Sequence, residues 1–203
     1  MNNKKKIFIS VVIVLILCAI VVSATYAVYR WRSTYGLNVN ITVNDNIVIT
    51  FNGGTNITGR LIPTDVTKDM DKIIVKEMTI KSNLPTDGTY NLYLKTNELP
   101  SAIQDESFKW LLTDCDYIDD SYCGEDINIS GDFSASSMSE YRDQTTGDLL
   151  LLDSSNIPFR KKLHLYLYLW IDGTVDNDIS MGGNHIDFDL YATGTDGSLN
   201  NNS

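Results

Sequence analysis

The sequence predicts an antiparallel β-sandwich that follows an N-terminal export segment. Three observations predict it: an apolar run lies near the start of the chain, apolar residues elsewhere alternate with polar ones, and turn-forming residues separate the alternating segments. Alternation with a period of two places every second side chain on one face of a strand. Seven or more such segments, joined by turns, are typical of a sandwich rather than of a helical protein.

The export segment begins with the lysines at positions 4–6 and continues as an apolar run over residues 7–24. A run of about 18 apolar residues is long for the core of a signal peptide and short for a membrane span. Thr25 and Ala27 fit a signal peptidase site, where small residues precede the cut. Uncleaved, residues 7–29 would stay in the membrane as an anchor. Either way the lysines remain in the cytoplasm, so we expect the rest of the chain to be extracellular, secreted or at the cell surface.

The remainder of the chain has the length of one domain. We expect an extracellular β-sandwich over residues 28–193 and a flexible tail, rich in Gly, Asn and Ser, over residues 194–203. Residues 1–27 contain three lysines and no acid, so the net charge of −10 becomes −13 when they are removed. Such a charge repels nucleic acid, and we expect no nucleic acid partner.

Two cysteines follow the export segment. Cys115 and Cys123 bracket a short acidic loop, and an exported pair at this spacing predicts a disulfide that joins the arms of a turn. A loop of this size contributes about 2 to 3 kcal/mol in the chain-entropy model. Zinc binding is disfavoured because no histidine is nearby, whereas in a strict anaerobe the pair would stay reduced.

The domain opens with a predicted hairpin. A first strand is followed by a turn at residues 44–46 and a second strand at residues 47–51. The apolar residues of the first strand alternate with polar ones, and they are Leu37, Val39, Ile41 and Val43.

The later strands include one that is apolar or aromatic on both faces. Strands are predicted at residues 73–81, 90–94, 108–113, 163–171 and 186–192. The strand at residues 163–171 has leucines and isoleucine on one face. Either it is a central strand that is covered on both sides, or its second face awaits a partner. The residues of that second face are His164, Tyr166, Tyr168 and Trp170.

The layout of the chain resembles the TasA and camelysin family of exported proteins of Gram-positive bacteria. The resemblance includes the lysine-led signal that ends at residues 24–27 as Ala-Thr-Tyr-Ala, the early strand pair, Leu-Ile-Pro at residues 61–63, and the strand at residues 72–81. It implies a jelly-roll-like β-sandwich, export by the general secretory route with a dedicated signal peptidase, and, for the better-known members, assembly into biofilm-matrix fibres. Camelysin-like members were described as proteases.

The sequence contains no recognisable catalytic motif. His164 and His185 are its only histidines, and neither belongs to a His-Glu-x-x-His motif. Gly-x-Ser-x-Gly and P-loop motifs are missing too. We therefore expect no enzymatic activity and no cofactor.

An acidic turn follows the strand at residues 163–171. Asp172, Asp176 and Asp178 are weak candidates for calcium ligands, because Ca²⁺ takes six to eight oxygen ligands at flexible geometry. Asp and Gly also favour turns for purely conformational reasons. We expect the turn interpretation to hold and no metal to bind.

Two functions remain as hypotheses. The first is an extracellular structural protein that associates with its own copies, with Leu37, Val39, Ile41 and Val43 as a donor strand added to the edge of the next copy. Retention of the signal would block this donation. The second is a tethered or secreted adhesin that binds a glycan or a host protein. The aromatic residues considered for it are Tyr117, Tyr122, Trp110 and Trp170. The two tryptophans stand in predicted strands, where aromatic residues more often belong to the core, so only the two loop tyrosines count as candidates.

Overall fold

The computed structural model describes residues 38–43, 47–67, 69, 72–82, 88–117, 127–158, 161–174 and 183–195. All of them belong to the compact unit Arg32–Ser203. The export segment, with Thr25 and Ala27, lies outside the described residues. Among the residues that are described, no helix is long and apolar enough to cross a membrane.

The described residues form strands almost throughout, with one short α-helix. The helix begins after Ser134, whose side chain accepts a hydrogen bond from the Ser137 amide and so caps its N-terminus. In chain order the elements are β1 (Val39–Val43), β2 (Ile47–Phe51), β3 (Asn56–Arg60), β4 (Pro63–Thr64), β5 (Ile74–Ser82), β6 (Gly88–Glu98), β7 (Phe108–Thr113), β8 (Asn128–Asp132), α1 (Ala135–Glu140), β9 (Leu149–Ile157), β10 (Lys162–Asp172) and β11 (His185–Thr195).

The strands form two sheets, which confirms the predicted all-β, antiparallel sandwich. The larger sheet has the order β1-β2-β5-β10-β7-β8, and the short β4 runs parallel to the end of β10. The smaller sheet has the order β3-β11-β6-β9. Apart from the β1–β2, β4–β5 and β7–β8 connections, consecutive strands lie in different sheets. The chain therefore wraps back and forth between the layers, as in jelly-roll-like sandwiches.

One hydrophobic core lies between the two sheets. Phe133 stacks on Phe108 of the larger sheet at 4.1 Å between ring centroids and on Phe188 of the smaller sheet at 5.3 Å. A Cβ at Gly88 would lie only 2.6 Å from Cδ1 of Ile47 in the opposite sheet, so the absence of a side chain there permits close packing. Burial of each such large apolar side chain stabilises the fold by about 1.5 to 3 kcal/mol.

Most of the predicted strands are confirmed. The opening hairpin is β1 with β2, and the strands predicted at 73–81, 90–94, 108–113, 163–171 and 186–192 correspond to β5, β6, β7, β10 and β11. Four strands were not predicted, namely β3, β4, β8 and β9. The last strand runs to Thr195, two residues past the predicted end of the domain at 193.

Candidate functional site

The N-terminal strand β1 is one edge of the larger sheet. It pairs antiparallel with β2, and no other described strand pairs with it. Two asparagine side chains add contacts to the same hairpin: Asn40 Oδ1 accepts a hydrogen bond from Thr50 Oγ1 at 2.8 Å, and Asn38 Oδ1 accepts one from the Gly53 amide at 3.3 Å. The outer edge of β1 presents backbone groups that a further strand could pair with.

The structure places most of the predicted donor residues in this edge strand. Val39, Ile41 and Val43 lie in β1, and Leu37 lies outside the described residues. Val39 is 38% exposed. Because β1 is already part of its own sheet, donation to another copy requires it to leave β2.

The outer face of the larger sheet carries a second apolar cluster, which we call the outer aromatic cluster. Ile73, Val75 and Tyr168 are its buried members. β10 is a central strand, flanked by β5 and β7, and near Tyr168 it is covered on both faces. Tyr166 and Trp170 stay half-buried, so the aromatic face is only partly covered. The partly buried members are Val66, Leu111, Tyr166 and Trp170.

The Tyr168 hydroxyl anchors the segment that follows β7 to this cluster. It donates a hydrogen bond to the Cys115 carbonyl at 3.1 Å and accepts one from the Tyr117 amide at 2.9 Å. The ring of Tyr117 lies 5.9 Å from that of Tyr168 and remains 41% exposed. Tyr117 is therefore held in place with an accessible aromatic surface.

Cys115 is buried and disulfide-bonded. Its predicted partner, Cys123, lies outside the described residues together with Tyr122. The Tyr168 hydroxyl and the disulfide of Cys115 thus act on the same short segment, and the hydroxyl fixes the start of the acidic loop to the sheet.

Trp110 cannot serve as a sugar-stacking residue. It is 1% exposed, and its ring meets that of Tyr141 edge to face at 5.0 Å. The alternation of β7 explains this, because Trp110 shares the inward phase of Phe108 and Leu112. The burial of Trp110 agrees with the expectation that an aromatic residue at a strand position belongs to the core.

Two lysines face each other at the other end of the same outer face. Lys81 of β5 and Lys162 of β10 are cross-strand partners, and both are exposed. Directly opposite residues have Cβ atoms about 5 Å apart, and like charges in that position repel. We call Lys81, Lys162, Thr79 and His164 the lysine-histidine patch.

His164 lies beside the two lysines in a polar setting. Its Nδ1 is 3.4 Å from Thr79 Oγ1 and 4.0 Å from a carboxylate oxygen of Glu77. Partial burial, followed by the positive charge of Lys162, lowers the pKa of His164, whereas Glu77 opposes the shift. The imidazole is therefore neutral at pH 7 and can both donate and accept a hydrogen bond.

Asp172, a weak calcium candidate, is engaged by side chains of its own chain. Its carboxylate accepts a hydrogen bond from Lys109 Nζ at 2.8 Å, and it accepts two more from Thr174, at 3.0 Å from the amide and 2.6 Å from Oγ1. The bonds from Lys109 and Thr174 lower the pKa of Asp172 to about 2. This geometry is that of a turn closed by its own side chain. Asp176 and Asp178 lie outside the described residues.

The outer face of the smaller sheet carries hydrogen-bonded amide and carboxylate pairs beside a stacked tyrosine pair, Tyr93 and Tyr191. The amide of Asn56 donates to Asp187 at 2.7 Å, and that of Asn97 donates to Asp189 at 2.8 Å. His185, on this face, lies 3.3 Å from Glu98, so the two histidines of the chain stand on different sheets and cannot share a site. The part of the chain that is described holds no group of three or more His, Cys, Asp or Glu side chains placed to bind a metal ion.

No protein-family model, curated protein or solved structure matches this chain. The resemblance to the TasA and camelysin family therefore stays a prediction.

The lysine-histidine patch was not predicted from the sequence. Lys81 and Lys162 are far apart in the chain, and only the register of β5 on β10 brings them together. The available signal was the pair Lys161-Lys162 at the start of the strongest predicted strand in an otherwise acidic chain. Such a pair is most often only a solvated strand end, and its partner cannot be identified without the pairing.

Proposed function

We propose that the protein is an extracellular structural protein of the bacterial surface or biofilm matrix that associates with its own copies by β-strand addition. The observation that carries the proposal is the position of β1. It is the first described strand of the chain, it forms an edge of the larger sheet, and among the described strands it pairs only with β2. A terminal strand attached through one neighbour can be exchanged between copies without disturbing the remaining strands of the sheet.

Exchange of β1 preserves the pairing that one copy already contains. When β1 leaves, the N–H and C=O groups along β2 lose their partners, and the β1 of a second copy restores them in the same register, from Val39 opposite Phe51 to Val43 opposite Ile47. The connection between the strands is short, residues 44–46, so β1 and β2 would open into one extended arm. An exchange that passes from copy to copy without closing produces a fibre.

A designed disulfide tests strand exchange directly. Asn40 and Thr50 are cross-strand partners whose side chains are hydrogen-bonded, so the double substitution Asn40→Cys/Thr50→Cys should fasten β1 to its own β2. We expect the oxidised variant to remain monomeric in electron micrographs and the reduced variant to form fibres. A chain that begins at residue 44 lacks β1 and should not form fibres either.

The matched control is Thr50→Cys/Thr79→Cys. These residues are partners across β2 and β5, so their disulfide would stiffen the same sheet and leave β1 free to exchange. This control should form fibres in both redox states. Fibres from the oxidised Asn40→Cys/Thr50→Cys variant, or none from the unmodified protein, would rule out strand exchange by β1.

The extracellular location and the processing by signal peptidase are part of this proposal, which includes no enzymatic role and no cofactor. Cleavage after Ala27 would release the end of the chain that precedes β1, whereas an anchor at residues 7–29 would tether it to the membrane. N-terminal sequencing of the protein isolated from its cells decides between the two. Recovery of an intact Met1 from the membrane fraction would favour a tethered protein.

The second candidate function is a tethered or secreted adhesin. The outer face of the larger sheet favours it, because Tyr166 and Trp170 are half-buried there and Tyr117 is exposed. Aromatic rings that are fixed in place and partly accessible suit ligands with one apolar face, such as sugars. Trp110 takes no part in this function.

A further inference from the structure

The outward-facing side chains of β10 change in character along the strand. Lys162, His164 and Tyr166 alternate with core residues and therefore share the outer face of the larger sheet. With a rise of about 3.3 Å per residue, these three positions span about 13 Å. A cation, a polar ring and an aromatic ring thus follow one another in a line, on a strand that pairs with β5 at all three positions and with β7 from Tyr166 onward.

The two facing lysines carry like charges, and the carboxylate described near them, that of Glu77, lies 4.0 Å from His164 Nδ1 rather than against either ammonium group. Neither Lys81 nor Lys162 forms an ion pair with a described carboxylate, in contrast to Lys72 and Lys109. The chain has 16 Lys and Arg against 26 Asp and Glu, so composition does not force two cations into opposite positions. An anionic group placed between the two ammonium groups would interact favourably with both.

We propose that Lys81, Lys162, His164 and Tyr166 form a binding site for an anionic glycan, a sugar polymer that carries carboxylate or phosphate groups. The anionic group of the glycan lies between the two lysines. Thr79 and the neutral imidazole of His164 exchange hydrogen bonds with its hydroxyl groups. Tyr166 packs its ring against the apolar face of a neighbouring sugar.

The charge of the site selects its ligand. A neutral glycan leaves the lysine pair without an anion, and an acidic peptide does not offer a sugar face to Tyr166. This site rests on the second candidate function, for which it names a ligand class, and it does not depend on strand exchange by β1.

The two histidines make the test specific, because each reports on one outer face. The full-length protein, in the processed or unprocessed form in which cells leave it, is titrated with four polymers while the imidazole proton signals are followed by NMR. Oligogalacturonate supplies carboxylates, phosphorylated dextran supplies phosphates, dextran is neutral, and oligoaspartate supplies charge without sugar. We expect oligogalacturonate or phosphorylated dextran, or both, to shift the signal of His164 and leave that of His185 in place. Which of the two binds identifies the source of the anion.

Substitutions then assign the contacts. The double substitution Lys81→Gln/Lys162→Gln should weaken binding of the active polymer by about tenfold or more, and Tyr166→Ala by about fivefold. The matched control is Lys95→Gln, which removes an exposed lysine in β6 of the smaller sheet and should leave the affinity unchanged. An unchanged His185 signal and an unchanged melting temperature show that each variant is folded.

Several outcomes would overturn the proposal. The first is that neither anionic polymer shifts the His164 signal. The second is that dextran or oligoaspartate binds as tightly as the active anionic polymer. The third is that Lys81→Gln/Lys162→Gln binds that polymer as tightly as the unmodified protein does. Fibres are scored separately by electron microscopy. Intact fibres without glycan binding contradict only the glycan site, and glycan binding without fibres contradicts only strand exchange.

Discussion

Lys76 is a lysine that lies in the hydrophobic core, where charged residues are rare. It lies in β5 in the same phase as Ile74, Met78 and Ile80, so its side chain enters the space between the sheets and is 0% exposed. Its ammonium donates a hydrogen bond to the Asn56 carbonyl at 3.4 Å. Burial lowers the pKa of Lys76 to about 8.

The lowered pKa of Lys76 predicts that stability rises with pH in an alkaline window. Unfolded lysine has a pKa of 10.5, so between about pH 8 and pH 10 the unfolded state binds more protons than the folded state. The free energy of unfolding should therefore increase across this window, by up to about 3 kcal/mol. Urea unfolding at several pH values measures it, and Lys76→Met should abolish the rise.

The matched control for this prediction is Lys81→Met, because Lys81 belongs to the same strand and is exposed. It should retain the increase. The window ends near pH 10, because burial raises the pKa of Tyr90 to about 12 and unfolded tyrosine ionises at lower pH, so stability falls above that point. A rise in Lys76→Met equal to that of the unmodified protein would contradict the assignment.

Tyr90 predicts a substitution that stabilises the protein. Its side chain is fully buried, and its hydroxyl has no hydrogen-bond partner of good geometry among the described residues. Burial raises the pKa of Tyr90 to about 12, and the nearby Ser155 side chain opposes that rise. A buried hydroxyl without a partner is costly, so Tyr90→Phe should raise the free energy of unfolding by about 1 kcal/mol. Tyr168→Phe is the control. It removes a hydroxyl that makes two hydrogen bonds and should lower stability by about 1 to 3 kcal/mol. Equal destabilisation by both would disprove the distinction.

At the scale of single elements, β8 depends on a glycine. A Cβ at Gly131 would lie 2.7 Å from Cζ2 of Trp110, whose ring is held against Tyr141 and cannot easily move. Gly131→Ala should therefore destabilise the protein by about 1 to 3 kcal/mol. Where a new side chain has room, Gly→Ala stabilises instead. A loss of stability in Gly131→Ala would therefore show that Trp110 leaves no room for a Cβ. Thermal unfolding measures it, with the exposed neighbour Ser130→Ala as a control that should stay within about 0.5 kcal/mol.

The strands that could be predicted are those whose pattern is decided by burial. β10 places leucines on its core face and aromatic residues on the other, so alternation alone predicts a strand there, whereas its central position was one of two alternatives and is decided by its pairing with β5 and β7. β3 and β8 contain one isoleucine each among polar residues and glycine, and pairing with neighbours makes them strands. Lys76 is buried because its side chain points to the core face of β5, and Lys81 lies opposite Lys162 because of the register between β5 and β10. A single sequence specifies neither the face nor the register.

At the scale of the whole molecule, the two outer faces have different chemistry. The larger sheet presents aromatic residues and the lysine-histidine patch, and it also includes the edge strand β1. The smaller sheet presents amide and carboxylate pairs and a stacked tyrosine pair, which make their contacts within the chain. Both proposed functions therefore use the larger sheet, and the smaller sheet mainly closes the core.

The net charge predicts opposite responses of the two functions to salt. Copies with a net charge of −10, or −13 without residues 1–27, repel one another, and the Debye length falls from about 10 Å at 0.1 M salt to about 3 Å at 1 M. Added NaCl should therefore accelerate fibre formation, as measured by light scattering and electron microscopy.

The attraction between Lys81, Lys162 and an anionic glycan is screened by the same ions, so calorimetry should show weaker binding as salt rises. Fibre formation by Lys81→Gln/Lys162→Gln should still accelerate with salt. The residual glycan binding of this variant should depend only weakly on salt. Fibre formation that slows with salt would mean that ion pairs rather than strand exchange hold the copies together.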